Sequence, residues 1–451
     1  MIVSRTKHYM ISFFDSTKPS AWFTGLMVAA PIIVFPISKI YTAFFVVILV
    51  LSSIYWHNSF RSKSHKSLYL GIAAIAIPVF LTTLVLPFLG IDWEFILLKK
   101  LAEVLLGGAF GLATISLIKE HPDGLKITRI AIYITILFWS FDGFIQLVFG
   151  QDLFGVPLHN GRVGIFASRP LDFAWYFPFF AIFPIFDTLS FSDNSRLWAP
   201  TKIYSLLLLI FSNIIVFSGG SRNSMLVISI VSLIWAAAFA RQTPIQYRRV
   251  IIALFLGGFT LLVVLFYQFN DVFQGRINQT MRILVDPSYQ QMNEVLTKRF
   301  DIWQPAIEIV QKNILFGIGP DQFRDAVLNV LKPGNYYYQN GRIMHAHQVL
   351  IEVVLGTGVI GLICFLAYYI YVARYLYLRL NILTSSNGFG LAGALAFLLM
   401  WLPFGTHFSV YGSMQLFYSF YFLAIGFALL PDNPDRQPSA LPKSDTIAPL
   451  E

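Results

Sequence analysis

The sequence is poor in charge. Only 12% of its 451 residues are charged, whereas soluble globular proteins carry about 25%. Hydrophobic residues make up 56% of the chain, and the mean hydropathy is +0.66. These values exclude an ordinary soluble domain. They predict an all-α polytopic membrane protein with most of its mass in the bilayer, where backbone polar groups must be bonded internally.

Cysteine is almost absent, and its single occurrence, Cys364, lies within an apolar run. One thiol excludes a disulfide framework and a cysteine metal site within one chain. The net charge of +9 could suit a nucleic acid, but the basic residues lie between apolar runs and form no mixed aromatic and basic surface. We therefore expect no nucleic-acid partner. We also expect no cleavable signal peptide, because the first apolar segment lacks a small-residue cleavage site.

Twelve apolar runs approach the length of about 20 residues that a helix needs to cross a bilayer. We predict transmembrane helices at residues 21–38, 40–56, 68–89, 101–118, 127–149, 170–189, 201–218, 225–240, 249–267, 347–371, 386–404 and 411–430. The chain therefore divides into nine spans (1–267), a large loop (268–346) and three further spans (347–430). The final segment, 431–451, is rich in Pro, Ser and charge and is predicted to be disordered.

Lysine and arginine are unequally distributed between the loops. If the N-terminus is cytoplasmic, 18 of them lie on the cytoplasmic side and 6 in the short outer loops. Because positive charge in short loops marks the cytoplasmic side, we predict that both termini are cytoplasmic. The large loop then faces the periplasm. Its residues 296–311 are predicted to form an amphipathic helix, with Phe300, Trp303, Ile307 and Val310 on one face, and 321–330 a second short helix.

Two histidines, His345 and His347, end the large loop beside a predicted span. Ionisable groups at such a position are costly unless they serve a function. In an extended segment the two share a face and could bind a metal. However, no third ligand lies at a useful spacing, and the chain has no Asp-x-Asp motif. Proton transfer by one imidazole is the favoured interpretation, the alternative being an interfacial histidine without a chemical role.

Four arginines also fall on the outer side: Arg222 follows a tight polar turn, Arg299 lies in the large loop, and Arg162 and Arg169 share an earlier loop. The guanidinium is planar, always charged and suited to phosphate oxygens. Simpler roles are open to each: Arg222 could anchor a helix end, Arg299 could pair with Asp301, and the other two could be solvated. With a histidine, the four would form an outward-facing site for an anion, best matched by the pyrophosphate of a polyprenyl-linked sugar donor.

These residues resemble the O-antigen ligase and O-antigen polymerase superfamily over about residues 161–361. The most specific part is His347-Gln348, nine residues, and then the Gly-x-x-Gly sequence at 358–361. Gln348 stands where asparagine is commoner, so an amide is retained. The turn at 220–222, the stretch from Arg299 to the Gly-Ile-Gly sequence at 317–319, and the loop at 161–166 also look like segments of that superfamily.

The resemblance implies a GT-C-like membrane glycosyltransferase that needs no nucleotide sugar, metal or other cofactor. Its donor would be a glycan on undecaprenyl pyrophosphate and its acceptor a sugar, with direct displacement and inversion at the anomeric carbon. His347 would be the base, and Arg222 and Arg299 would hold the pyrophosphate. The residues lining the donor site would be His345, Arg162 and Arg169.

The resemblance favours a ligase, which joins the O-antigen to lipid A–core oligosaccharide at the inner membrane of a Gram-negative bacterium, surrounded by membrane lipids. A polymerase or a related oligosaccharyl transferase would use the same donor and remains an alternative. A transporter of lipid-linked sugars is a more distant one. Glu103, Asp142 and Glu352 lie in apolar runs and could mark a proton pathway, but the two halves show no repeat.

Overall fold

The computed structural model describes residues 19–35, 63–89, 95–159, 162–164, 170–190, 200–340, 343, 345–380, 387–405 and 409–431. These residues contain no β-strand, only two isolated β-bridges within 151–162. The described part holds sixteen α-helices: α1 Pro19–Ile33, α2 Lys63–Val85, α3 Phe95–Glu120, α4 Pro122–Phe149, α5 Pro170–Ser190, α6 Pro200–Ser218, α7 Arg222–Arg241, α8 Ile245–Phe269, α9 Asp271–Val285, α10 Tyr289–Val295, α11 Phe300–Lys312, α12 Phe323–Leu328, α13 Tyr336–Asn340, α14 Val349–Tyr377, α15 Gly388–Met400 and α16 Ser413–Leu429.

Eleven of the twelve predicted spans coincide with helices, namely α1–α8 and α14–α16. The remaining predicted span, 40–56, lies outside the described residues, as does the predicted tail from 432 onward. Seven of the described helices are long and apolar enough to cross a membrane, and four further helices are apolar but shorter in their described parts. The protein is an all-α polytopic membrane protein, as the sequence predicts.

Helices α5, α15 and α16 lie at the centre of the bundle. All residues of α15 are buried, as expected of a helix that is apolar on every side. The ring of Phe180 on α5 lies 5.2 Å from that of Tyr418 on α16, and 6.1 Å from that of Phe422. The Tyr418 hydroxyl donates to the Pro31 carbonyl at 2.7 Å, which ties α16 to α1. Aromatic packing therefore joins first and last parts of the chain.

Helix α14 is broken at Gly358, where φ is 65° and ψ is −166°. Residues 314–318 of the large loop cross this break: the Val359 N–H donates to the Ile314 carbonyl at 2.9 Å, and the Ile318 N–H donates to the Leu355 carbonyl at 2.7 Å. A non-helical backbone is tolerated at membrane depth where protein groups bond it. The Gly-Ile-Gly sequence at 317–319 therefore packs against the break in α14 at Gly358.

The large loop contains more helix than the sequence predicts, since α9 and α10 precede the predicted amphipathic helix. That helix, α11, begins at Phe300 and not at 296, because Thr297 and Lys298 have φ values of 56° and 61°. A left-handed backbone cannot continue a right-handed helix. The buried side of α11 is also turned from the predicted face, and Ile307 is 49% exposed. Helix α11 packs against α14, and this contact determines which of the apolar residues of α11 are buried. The sequence alone does not reveal that contact.

The carboxylates within the apolar helices have partners inside the protein. Lys100 on α3 lies 2.7 Å from both Glu103 and Asp321. The Asp142 carboxylate accepts from the Leu153 N–H at 2.8 Å. Bonded partners offset the cost of burying a charged group. These contacts also have a structural use, since Lys100 and Asp142 each hold a loop against the bundle.

Candidate functional site

Arg222 is the first residue of α7. The chain reverses just before it at Gly220, where φ is 66°, and the Ser221 hydroxyl caps the helix by accepting from the Ser224 N–H at 3.4 Å. The Arg222 Nη2 donates to the Gln279 side chain at 3.0 Å. Among the described residues, its buried Nε has no hydrogen-bond acceptor. An anion bound at this helix start could accept from that N–H.

Arg276 joins Arg222, although it is not among the residues predicted from the sequence. It lies on α9, one turn before Gln279, and its charge acts on Arg222 and on Arg162. The sequence analysis predicts no helix over residues 268–295, so it does not place Arg276 beside Arg222. A usable signal was present, since Asn270 caps α9 by accepting from the N–H three residues on, at 2.9 Å, as capping asparagines do.

Arg162 is held beside the same turn. Gln146 on α4 accepts from the Gly164 N–H at 2.8 Å and donates to the Val156 carbonyl at 3.0 Å, which fixes both sides of the loop. A Cβ added to Gly220 would lie 3.6 Å from the Arg162 Nε. Burial and the nearby positive charge of Arg276 lower the pKa of Arg162. Arg169, the other predicted arginine of this loop, lies outside the described residues.

Arg299 occupies the position before α11. Its possible partner Asp301 instead accepts hydrogen bonds from Asn293 at 2.8 Å and Tyr289 at 3.4 Å. Burial lowers the pKa of Arg299 to about 10, so the guanidinium stays charged at neutral pH. Its charge acts on Arg222 and on His345. Arg299 therefore connects the arginine group to the histidines.

The two histidines are in direct contact. Their ring centroids are 3.8 Å apart, and the His345 Nδ1 accepts from the His347 backbone N–H at 3.3 Å. His347 has a φ of 51°, a left-handed conformation that is uncommon outside glycine and costs about 1–3 kcal/mol. Trp303 on α11 donates to the Ala346 carbonyl between them at 3.0 Å. The large loop thus fixes the histidine segment.

His345 is a poor candidate for the base. Burial and the positive charge of Arg299 lower its pKa to about 4, so it is neutral at neutral pH. Because its Nδ1 accepts a hydrogen bond, the ring proton lies on Nε2. The contact of His345 with Glu352, 3.7 Å between Nδ1 and Oε2, is therefore not an ion pair at neutral pH. A base with so low a pKa takes up protons weakly.

Gln348 explains why an amide follows the second histidine. It is the N-cap of α14: its Oε1 accepts from the Ile351 N–H at 2.5 Å, and its Nε2 donates to the Pro403 carbonyl at 2.9 Å. Asparagine is also a good N-cap, so either amide can begin this helix. The nine-residue spacing then separates the cap from the break at Gly358. The motif combines a helix start with a helix break.

The residues that converge here lie largely in one matched segment. Residues 206–366 match a family model described as O-antigen ligase. The predicted family resemblance is confirmed. The O-antigen ligase match includes Arg222, Arg276, Arg299 and both histidines, whereas Arg162 precedes it. It supports membrane glycosyl transfer that uses lipid-linked polysaccharide substrates. A search of curated proteins found no match to the chain.

The positive charge of this site, within the segment that matches the O-antigen ligase model, comes from arginine side chains. Within the described ranges, no three side chains of His, Cys, Asp or Glu are grouped so that they could hold a metal ion. The arrangement can bind an anion through several guanidinium groups and take up a proton on an imidazole beside it.

Proposed function

We propose that the protein is an O-antigen ligase. It transfers O-antigen polysaccharide from undecaprenyl pyrophosphate to the terminal sugar of lipid A–core oligosaccharide, at the periplasmic face of the inner membrane. One observation carries the proposal: Arg222, Arg276 and Arg299 converge beside the contacting histidines His345 and His347, within the O-antigen ligase match.

The proposed reaction is a single displacement. The acceptor hydroxyl oxygen attacks the anomeric carbon of the donor while His347 takes up the hydroxyl proton. The bond between that carbon and the pyrophosphate oxygen breaks, and its electron pair leaves with undecaprenyl pyrophosphate. Attack opposite the leaving group inverts the anomeric centre.

The arginines stabilise the charge that develops on the leaving pyrophosphate. Arg222 has a buried Nε without an acceptor in the described part of the chain, and Arg299 is partly buried yet charged. Charges in such surroundings interact more strongly than in water. Fixed donors aimed at a developing charge are commonly the largest catalytic contribution. Three fixed cations can supply this stabilisation, so the proposed reaction needs no metal ion.

A transporter is less well supported than an enzyme. Each carboxylate that could form a proton pathway has a partner within the protein for at least one of its oxygens: Glu103 pairs with Lys100, Asp142 accepts from a backbone N–H, and Glu352 accepts from Ser409. A polymerase uses the same donor and is distinguished by its product. In a strain without this protein, glycan accumulating on the lipid carrier with no O-chain on lipid A–core supports a ligase. Lipid A–core capped with one repeat unit means a polymerase instead.

The proposal is tested directly with purified protein, lipid-linked O-antigen and lipid A–core acceptor. We expect transfer without an imposed gradient, undiminished by a chelator, and a loss of at least about 100-fold in His347→Ala. His121→Ala, which changes a histidine between α3 and α4, is the matched control and should retain activity. Full activity of His347→Ala removes this residue from the mechanism. Loss with a chelator, restored by a divalent ion, means that a metal takes part.

A further inference from the structure

Glu352 lies behind the histidines, in the first turn of α14. Its side chain is 8% exposed, and its Oε1 accepts from the Ser409 hydroxyl at 2.6 Å. Its Oε2 has no hydrogen-bond partner among the described residues and lies 3.7 Å from the His345 Nδ1. A buried carboxyl oxygen is therefore directed at the ring that contacts His347.

The other ionisable groups near Glu352 are engaged elsewhere. Asp321 and Tyr411 both lie within electrostatic range of it. Asp321 is paired with Lys100 at 2.7 Å, and the Tyr411 hydroxyl is 2.8 Å from that of Thr357. Arg299 approaches His345. Since Asp321 and Tyr411 have their own partners, Glu352 is linked to the histidine segment through its contact with His345 and through the Ala346 backbone N–H.

His345 contacts His347 in two ways. The two ring centroids are 3.8 Å apart, with the ring planes tilted by 51°, and the His345 Nδ1 accepts from the His347 backbone N–H. The second contact fixes a residue whose left-handed φ of 51° persists only where its surroundings enforce it. Because the pKa of His345 is lowered to about 4, its ring stays neutral and does not repel a protonated neighbour.

We propose that His345 and Glu352 form a positioning pair that holds His347 in its left-handed conformation and aims its ring at the acceptor hydroxyl. Neither member touches a substrate, and no proton passes through them. The role of the pair in transfer rests on the proposed function, whereas the hydrogen bond between the histidines does not.

The pair is tested by substitutions of His345 and Glu352 that either keep or remove the polar group in each contact. His345→Asn retains an acceptor near the Nδ1 position, and His345→Leu removes it. Glu352→Gln retains a polar group facing Ser409 and His345, and Glu352→Leu removes it. We expect kcat to stay within about 5-fold of the parent for the Asn and Gln variants and to fall at least about 10-fold for the two Leu variants, with KM for the lipid-linked donor changed less than about 3-fold.

The pH profile separates positioning from chemistry. If His347 is the base, the acid limb of kcat keeps its midpoint in His345→Asn. If the His345→Asn variant is as inactive as the His347→Ala variant, His345 is the base and the proposal is wrong. Full activity of both Leu variants, or a loss confined to donor KM, would also overturn it. The apparent unfolding temperature of each detergent-extracted variant is measured to show whether the variant folds. If a Leu variant does not fold, the Asn and Gln variants test the proposal.

A measurement without substrate keeps the two proposals distinguishable. In protein labelled with ¹⁵N-histidine, we expect the His345 Nδ1 to be unprotonated at pH 7 and its hydrogen-bonded signal to change in Glu352→Leu. An Nδ1 that carries the proton at pH 7, or that is unaffected by Glu352→Leu, contradicts the pair even if transfer is active. An inactive parent with the expected signals refutes the ligase proposal and leaves the contacts of His345 with His347 and Glu352 standing.

Discussion

At the residue scale, the position of Arg222 at the start of a helix suits its guanidinium group to binding an anion. It starts α7, where the helix dipole and free N–H groups favour an anion. One nitrogen is occupied by Gln279, and the Nε has no acceptor among the described residues. The remaining donors form part of a planar fork, which a lysine cannot reproduce.

We therefore predict that Arg222→Lys lowers transfer by at least about 10-fold although the charge is retained. Initial rates with lipid-linked donor measure the effect. Arg241→Lys, at the opposite end of the same helix, is the matched control and should transfer at the parental rate. If the Arg222→Lys variant works as well as the parent, the bidentate binding of phosphate is wrong.

His345 should make the stability of the protein sensitive to acid. Its pKa is about 4 in the folded protein and 6.5 unperturbed. Between these values the unfolded chain binds more protons, so acidification from pH 6.5 to pH 4 destabilises the fold, by up to roughly 3 kcal/mol. We expect the apparent unfolding temperature to fall more steeply over this range in the parent than in His345→Asn. Parallel curves would mean that His345 titrates normally.

At the scale of elements, the break in α14 and the loop that crosses it form one unit. Only a residue without a Cβ fits at Gly358, since a Cβ would lie 2.0 Å from the Leu315 carbonyl oxygen, and φ there is positive. This contact holds the large loop, including α11, against the helix that begins just after the histidines. The separation of Arg299 from His345 therefore depends on it.

We predict that Gly358→Ala lowers the apparent unfolding temperature and reduces transfer by at least about 10-fold, because the loop must move away from the break. Gly275→Ala on α9 is the control: nothing lies within 4 Å of its added Cβ, and alanine favours a helix over glycine by about 1 kcal/mol. The control should be as stable as the parent or more so. A neutral effect of Gly358→Ala would mean that the helix is not broken there.

The sequence predicted the elements better than their contacts. The predicted apolar runs coincide with eleven described helices, and the sequence showed the His-Gln and Gly-x-x-Gly signature as a motif. The start of α11 was misplaced by four residues, because two left-handed residues before it carry no compositional signal. Arg276 was missed because its importance comes from reaching Arg222 across separate elements.

At the scale of the whole molecule, the topology decides on which side of the membrane the site lies. The distribution of Lys and Arg predicts cytoplasmic termini and a periplasmic large loop. In a Cys364→Ser background, we expect Lys332→Cys to react with a membrane-impermeant maleimide in intact spheroplasts. Gln246→Cys, in the first turn of α8, should react only after permeabilisation. The reverse pattern would put the arginines and histidines in the cytoplasm and exclude a periplasmic ligase.

The sequence by itself determined that this protein is an all-α polytopic membrane protein with a segment that resembles the O-antigen ligase family. Bilayer thickness fixes the length of apolar runs, and short motifs are local. Only the tertiary structure decided that α14 breaks at Gly358 around the loop backbone, that Arg276 joins Arg222, and that His345 contacts both His347 and Glu352. Apart from the contacts of the histidine segment, these features join residues that are distant in the chain. Packing, and not the local sequence, determines which of those residues meet.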